Sequence, residues 1–151
     1  MLYLLDTNVW IDYLTGRYVA VVNRIQGASP GDLCLSAVVV AELRYGADKS
    51  VRRRTNHARI DALVREIPSI DFDSAAARVY GRVRAHLEAA GTLIGPNDLL
   101  IAAHALSRRL TLVTDNVNEF QRVKGLRVAN WRIPAIESSA KARARTPAKV
   151  K

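Results

Sequence analysis

The chain opens with a short apolar run, Tyr3 to Leu5, that stops at Asp6 and gives way to apolar residues at helical spacing from Thr7 to Leu14. A strand followed at once by a helix is the expectation. The alternation continues beyond it. Val19 to Gln26, ended by Gly27, reads as a second helix, and "SPGD" at 29 to 32 as a turn. Leu33 to Ser36 reads as a strand, Ala37 to Asp48 as a helix, and Val51 to Ile67 as a basic helical stretch closed by Pro68. A short strand is expected at Ser69 to Phe72, after which Asp73 caps a long helix reaching Ala90 and ended by Gly91. The loop "GTLIGPN" delivers Asp98 to a helix ending near Arg108, "LTLVTD" reads as a buried strand, and "LRVANW" as a last short one.

Strands and helices taking turns predict parallel strands covered on both faces, a three-layer α/β/α sandwich around a central, mostly parallel sheet. A chain of 151 residues suits one domain, which buries about two-thirds of its unfolded surface in a single core. That domain is placed at residues 1–137. The remaining segment, 138–151, reads "SSAKARARTPAKVK", has no large apolar side chain except Val150, and is expected to be a disordered basic tail.

Charge adds a partner to this picture. The chain carries 23 Lys and Arg against 14 Asp and Glu, a formal net charge of +9. The tail holds five basic residues and no acid, and taking those five from nine leaves +4 on the rest. Acidic partners are expected; the tail either holds phosphates or keeps the protein soluble. No stretch approaches the roughly 18 uninterrupted apolar residues of a membrane helix, so no membrane partner is expected. The N-terminus has no basic segment ahead of its apolar residues and meets Asp6 at once, unlike a secretory signal, and a cytoplasmic location follows as the expectation. Cys34 is the one cysteine and sits in an apolar run, which excludes a disulfide framework and a thiolate zinc site and leaves a buried core thiol. His57, His86 and His104 have no zinc-site spacing, and His104 in "IAAHALS" reads as a packed helix residue. The sequence has neither a glycine-rich phosphate loop nor a serine nucleophile elbow.

The acids carry the candidate chemistry. In open α/β sheets, ligands bind outside the carboxyl ends of the strands, and Asp6 and Asp115 each end a strand expected to be central. Glu42 has Val38, Val39, Tyr45 and Gly46 on its own helical face, an apolar stripe on which a carboxylate is expensive unless paired or metal-bound. Asp98 opens its helix beside Ile101 and Ala102, which point inward. Taken singly, capping accounts for Asp6 and Asp98 and turn formation for Asp115; the alternative for Glu42 is a surface position beside Arg44, which its apolar neighbours argue against. Taken together, four acids fall on one edge of the expected sheet. Asp12, Asp61, Glu66, Asp73 and Glu88 have ordinary structural positions. Several carboxylates with no other reactive group repel one another until a cation binds. Their hard oxygens suit Mg²⁺ or Mn²⁺, which can polarise a phosphodiester.

These residues resemble a known family. "LLDTNVWIDYL", "LSAVVVAELRYGA", "IGPNDLLIAAHAL" and "LTLVTDNVNEFQRVKGLRVANW" are similar, in order and over residues 2–131, to the PIN-domain ribonucleases and more closely to the VapC-type toxins of type II toxin–antitoxin systems. Each stretch is weak alone; the combination is specific. The resemblance implies an acidic quartet of Asp6, Glu42, Asp98 and Asp115, with Asp6 and Asp98 as principal ligands of Mg²⁺ or Mn²⁺ and the other two completing the site or acting through water. Many relatives have asparagine at the position of Asp115. Thr7, Thr114 and Asn116 are candidates to hold the carboxylates or a water, with helix capping as their alternative. The resemblance further implies metal-dependent endonucleolytic hydrolysis of single-stranded RNA to 5′-phosphate and 3′-hydroxyl ends, a homodimer, and a small cognate antitoxin.

Other classes fit less well. A receiver-type Mg²⁺-binding signalling module would pair acids after its first strand, where this chain has "DTN", and a haloacid-dehalogenase-type phosphatase would carry a second Asp at the position of Asn8. An RNA-processing PIN nuclease with no antitoxin stays open, and a PIN domain that only binds is disfavoured by the four acids.

Overall fold

In the computed structural model, residues 1–134 are described; the segment 138–151, expected to be a disordered tail, lies outside them. Strand β1 (Tyr3–Leu5) leads into helices α1 (Thr7–Thr15) and α2 (Val19–Gly27), and a 3-10 turn (Pro30–Asp32) brings the chain to β2 (Leu33–Ser36). Helices α3 (Ala37–Asp48) and α4 (Arg53–Glu66) follow, then β3 (Ser69–Ile70), α5 (Ser74–Ala89), α6 (Pro96–Ser107), β4 (Thr111–Val113), the single turn α7 (Val117–Phe120) and β5 (Val128–Ala129).

The strands pair in the order β3-β2-β1-β4-β5, and every pairing is parallel. Expected as mostly parallel, the sheet is wholly so. Leu4 stands between Cys34 and Leu112, and Leu5 beside Val113. All five side chains, with Leu35, are fully buried, as strands covered on both faces must be. From β1 the chain steps outward to β2 and β3, then returns across the sheet to β4 and β5. Right-handed crossovers place helices of opposite steps on opposite faces, which gives the three layers.

The order reverses between β1 and β4, and in sheets of this kind that reversal leaves a crevice at the carboxyl ends of the two strands. Asp6 follows β1 directly, its backbone N–H donating to the Val113 carbonyl at 2.9 Å. Thr114 and Asp115 follow β4. Three expected functional positions therefore reach one spot through strand register alone.

Candidate carboxylate site

Asp6 sits at the centre of that spot and is the N-cap of α1, with φ −66° and ψ 160°. Capping and a role in the site are thus compatible for this residue. Its Oδ1 accepts the Thr7 N–H at 2.8 Å and its Oδ2 the Thr114 hydroxyl at 2.8 Å. Burial pushes its carboxyl above the usual range, and the charges of Glu42 and Asp115 push the same way. The Thr114 hydroxyl in turn accepts the Asn116 N–H at 3.1 Å.

Glu42 projects from the middle of α3 and accepts the Thr7 hydroxyl on Oε1 at 2.8 Å. Its helical face differs from the expected one: Val39 is buried, but Tyr45 is exposed and Glu42 itself is half-buried. Asp98 also stands differently. Gly95 occupies the N-cap of α6 and Pro96 its first turn, so Asp98 lies inside the helix and is not a cap. Its carboxyl is pushed up to about 7 by burial, by the adjoining Glu119, and by the charges of Asp6 and Glu42. These shared influences tie Asp6, Glu42 and Asp98 into one electrostatic unit, with Asp115 joined to it through Asp6.

Glu119 is a neighbour the sequence reading overlooked. It accepts the Gly95 N–H at 3.0 Å, and against the cost of burial that bond and Asp98 hold its carboxyl below the usual range. Of this pair, Asp98 is the acid that is harder to ionise. The signal lay in "NVNE", an Asn and an acid at capping-box spacing; no side-chain cap forms at Asn116, and its side-chain amide donates to the Glu119 carboxylate instead.

Asp115 lies under a second unforeseen residue. Its Oδ2 accepts from Nη1 of Arg132 at 2.9 Å, while Nε and Nη2 of the same guanidinium reach Oδ2 and Oδ1 of Asp12 at 2.7 and 3.1 Å. Asp12, with an ordinary structural position on the sequence reading, is only 1% exposed. Oδ1 of Asp115 is buried and has no hydrogen-bond partner among the described residues.

The donor set fits a hard divalent cation: carboxylate oxygens only, two carboxyls raised partly by the charges of neighbouring acids, and one buried oxygen lacking a donor among the described residues. Among the described residues no three acidic, histidine or cysteine side chains already converge as a ligand cluster. Each of the outer three acids has another neighbour, Thr7 for Glu42, Glu119 for Asp98 and Arg132 for Asp115. Cys34 is buried and its thiol is pushed up to about 11 by that burial, which fits an inert core residue. No helix among the described residues is long and apolar enough to cross a membrane.

Comparison with known proteins shows the family. Residues 3–126 match the family described as PIN domain. The chain is 42% identical over 129 residues to the tRNA(fMet)-specific endonuclease VapC of Shigella flexneri, covering 85% of this chain and 97% of that one. It is 37% identical over 132 residues to ribonuclease VapC2 of Rickettsia felis, covering 87% and 98%. Among solved structures, DNA-bound VapBC from Salmonella typhimurium superposes with a TM-score of 0.81 at 36% identity, over 87% of this chain and 99% of that one.

Proposed function

The chain belongs to the PIN-domain family, and on that premise we propose that it is an endoribonuclease using Mg²⁺ or Mn²⁺ to hydrolyse RNA phosphodiester bonds, and the toxin of a toxin–antitoxin pair. The observation that supports the reading is electrostatic: at the crevice between β1 and β4 the charges of Glu42 and Asp115 act on Asp6, and those of Asp6 and Glu42 act on Asp98. The names of its relatives support the activity, and their structures with VapB support a small antitoxin as partner. A homodimer, as the resemblance implies, belongs to the same proposal.

Asp6 and Asp98 would hold the cation, with Glu42 and Asp115 beside them. When bound, it supplies Lewis-acid stabilisation to a phosphodiester under in-line attack. The chain's own residues prepare the place. The Thr114 hydroxyl and Thr7 N–H fix both oxygens of Asp6, and each keeps a further lone pair. The Thr7 hydroxyl fixes Glu42 against the same helix start. Asp98, its carboxyl pushed up to about 7, would hold the cation in its ionised form.

The test is cleavage of mixed cellular RNA with sequencing of the cut ends. Fresh 5′-phosphate ends are expected in Mg²⁺ or Mn²⁺, reversible arrest in EDTA, and inhibition by the antitoxin encoded beside the chain. Undiminished cleavage in excess EDTA would end the metal reading, and indifference to the antitoxin would leave a nuclease without that partner.

A further inference from the structure

We propose that Arg132 is a positioning residue of the carboxylate site, fixing Asp115 at the crevice by anchoring it to the buried Asp12. This rests on the metal-site reading above. Asp12, at 1% exposure, is too deep to remain charged without a partner, and Arg132 supplies it through two N–H groups, at 2.7 and 3.1 Å. The guanidinium face lies over the Tyr18 ring, with Cζ 4.3 Å from the centroid. A planar fork bonded twice at one edge and stacked on an aromatic ring has little freedom left. Its Nη1 then points where the rest of the molecule dictates, and Oδ2 of Asp115 takes that bond at 2.9 Å. With Oδ2 so held, Oδ1 is a buried oxygen left without a donor among the described residues. The anchor spans α1, the start of α2, the loop after β4 and the segment after β5. It joins a buried acid on α1 to the member of the quartet in the loop after β4.

A residue that merely staples the chain after β5 onto α1 would stabilise the fold and nothing else. Arg132→Lys separates the two roles, because an ammonium can neutralise Asp12 but cannot bond Asp12 bidentately and also orient Asp115. The experiment compares the full-length parent with Arg132→Lys, each with and without Asp115→Asn. Three quantities are read: thermal unfolding in EDTA, Mn²⁺ binding by titration calorimetry, and RNA cleavage. In the Asp115 background, Arg132→Lys is expected to unfold near the parent temperature yet to bind Mn²⁺ and cleave RNA about tenfold less well, the low end for residues that orient metal ligands. In the Asp115→Asn background the same change should move either quantity less than about twofold, as for uncoupled sites. Equal losses in both backgrounds, or parental Mn²⁺ affinity in Arg132→Lys, would overturn the positioning role. If the lysine variant unfolds early, Arg132→Gln combined with Asp12→Asn, a neutral pair at the buried position, is held to the same comparison. A parent that takes up no Mn²⁺ would refute the metal reading itself, an outcome distinct from a parent that binds while Arg132→Lys changes nothing.

Discussion

At the scale of single residues, Asp98 shows how an explanation drawn from sequence position changes once the backbone is known. A helix-opening aspartate invites a capping role, but Gly95 is the cap and Asp98 sits one turn inside, against Glu119 and within reach of the charges of Asp6 and Glu42. Asp98→Asn therefore has a defined outcome. The amide can donate to the adjoining Glu119, and a charge destabilised by burial and by its neighbours disappears. The metal-free protein should hold its stability or gain slightly. An anionic ligand is lost at the same time, so Mn²⁺ affinity and RNA cleavage should collapse together. Unfolding in EDTA, run beside Mn²⁺ titration and a cleavage assay, measures both halves; near-parental cleavage would remove Asp98 from the site. Asp6, Glu42 and Asp115 were legible as candidates because strand ends and an apolar helical face are local patterns. Arg132 was not, since its carboxylate partners lie 17 and 120 positions away and nothing in "ANWRIP" marks them.

At the scale of elements, the strands and long helices were legible because their hydrophobic periods are strong: β1, β2 and α3 begin and end where expected. The edge strands β3 and β5 shrink to two residues each, because a strand with one neighbour is specified by pairing more than by side-chain pattern. The turn α7 was missed because four residues carry no period. A contact between elements was equally hidden. Ser36, at the end of β2, caps α3 by accepting the Val38 N–H at 3.2 Å, and its hydroxyl also bonds Nδ1 of His104 on α6 at 2.8 Å. His104 is fully buried, its Nε2 has no partner, and burial, then the Arg108 charge, hold its pKa below the ordinary 6.5. The unfolded chain thus takes up a proton more readily than the fold. His104 contributes stability that is present above pH 6.5 and is lost as pH falls from there through the folded-state value. Ser36→Ala removes a cap and the only bond of a buried imidazole and should cost about 2 kcal/mol. Urea unfolding at pH 7.5 and 5.5 checks both: a parent no less stable at pH 5.5 would count against the assigned state of His104, and a loss of a few tenths would show the Ser36 hydroxyl to be marginal.

At the scale of the whole molecule, two charge patterns oppose each other: a crevice of carboxylates at the sheet edge and a net charge of +9 over the chain. An RNA nuclease needs both, because acids alone would repel the polyanion they are to act on. Basic residues elsewhere attract the strand by releasing its counterions, an effect that needs no fixed geometry. Five of those positive charges lie within 138–151, outside the described residues, so their contribution follows from charge and not from contacts. Each phosphate neutralised on a single strand contributes about 0.7 to the slope of log affinity against log salt. Deleting Ser138 to Lys151 should then flatten that slope by up to about 3.5 if all five engage phosphates, and weaken binding most at low salt. Turnover of bound RNA should stay near that of the parent, since all four acids of the crevice remain. Filter binding over a salt series, with single-turnover cleavage at saturating protein, separates the two quantities. An unchanged slope would make the segment a solubilising or linking one. A loss of single-turnover rate would mean that it reaches the crevice, a coupling that five charges acting only at a distance do not produce.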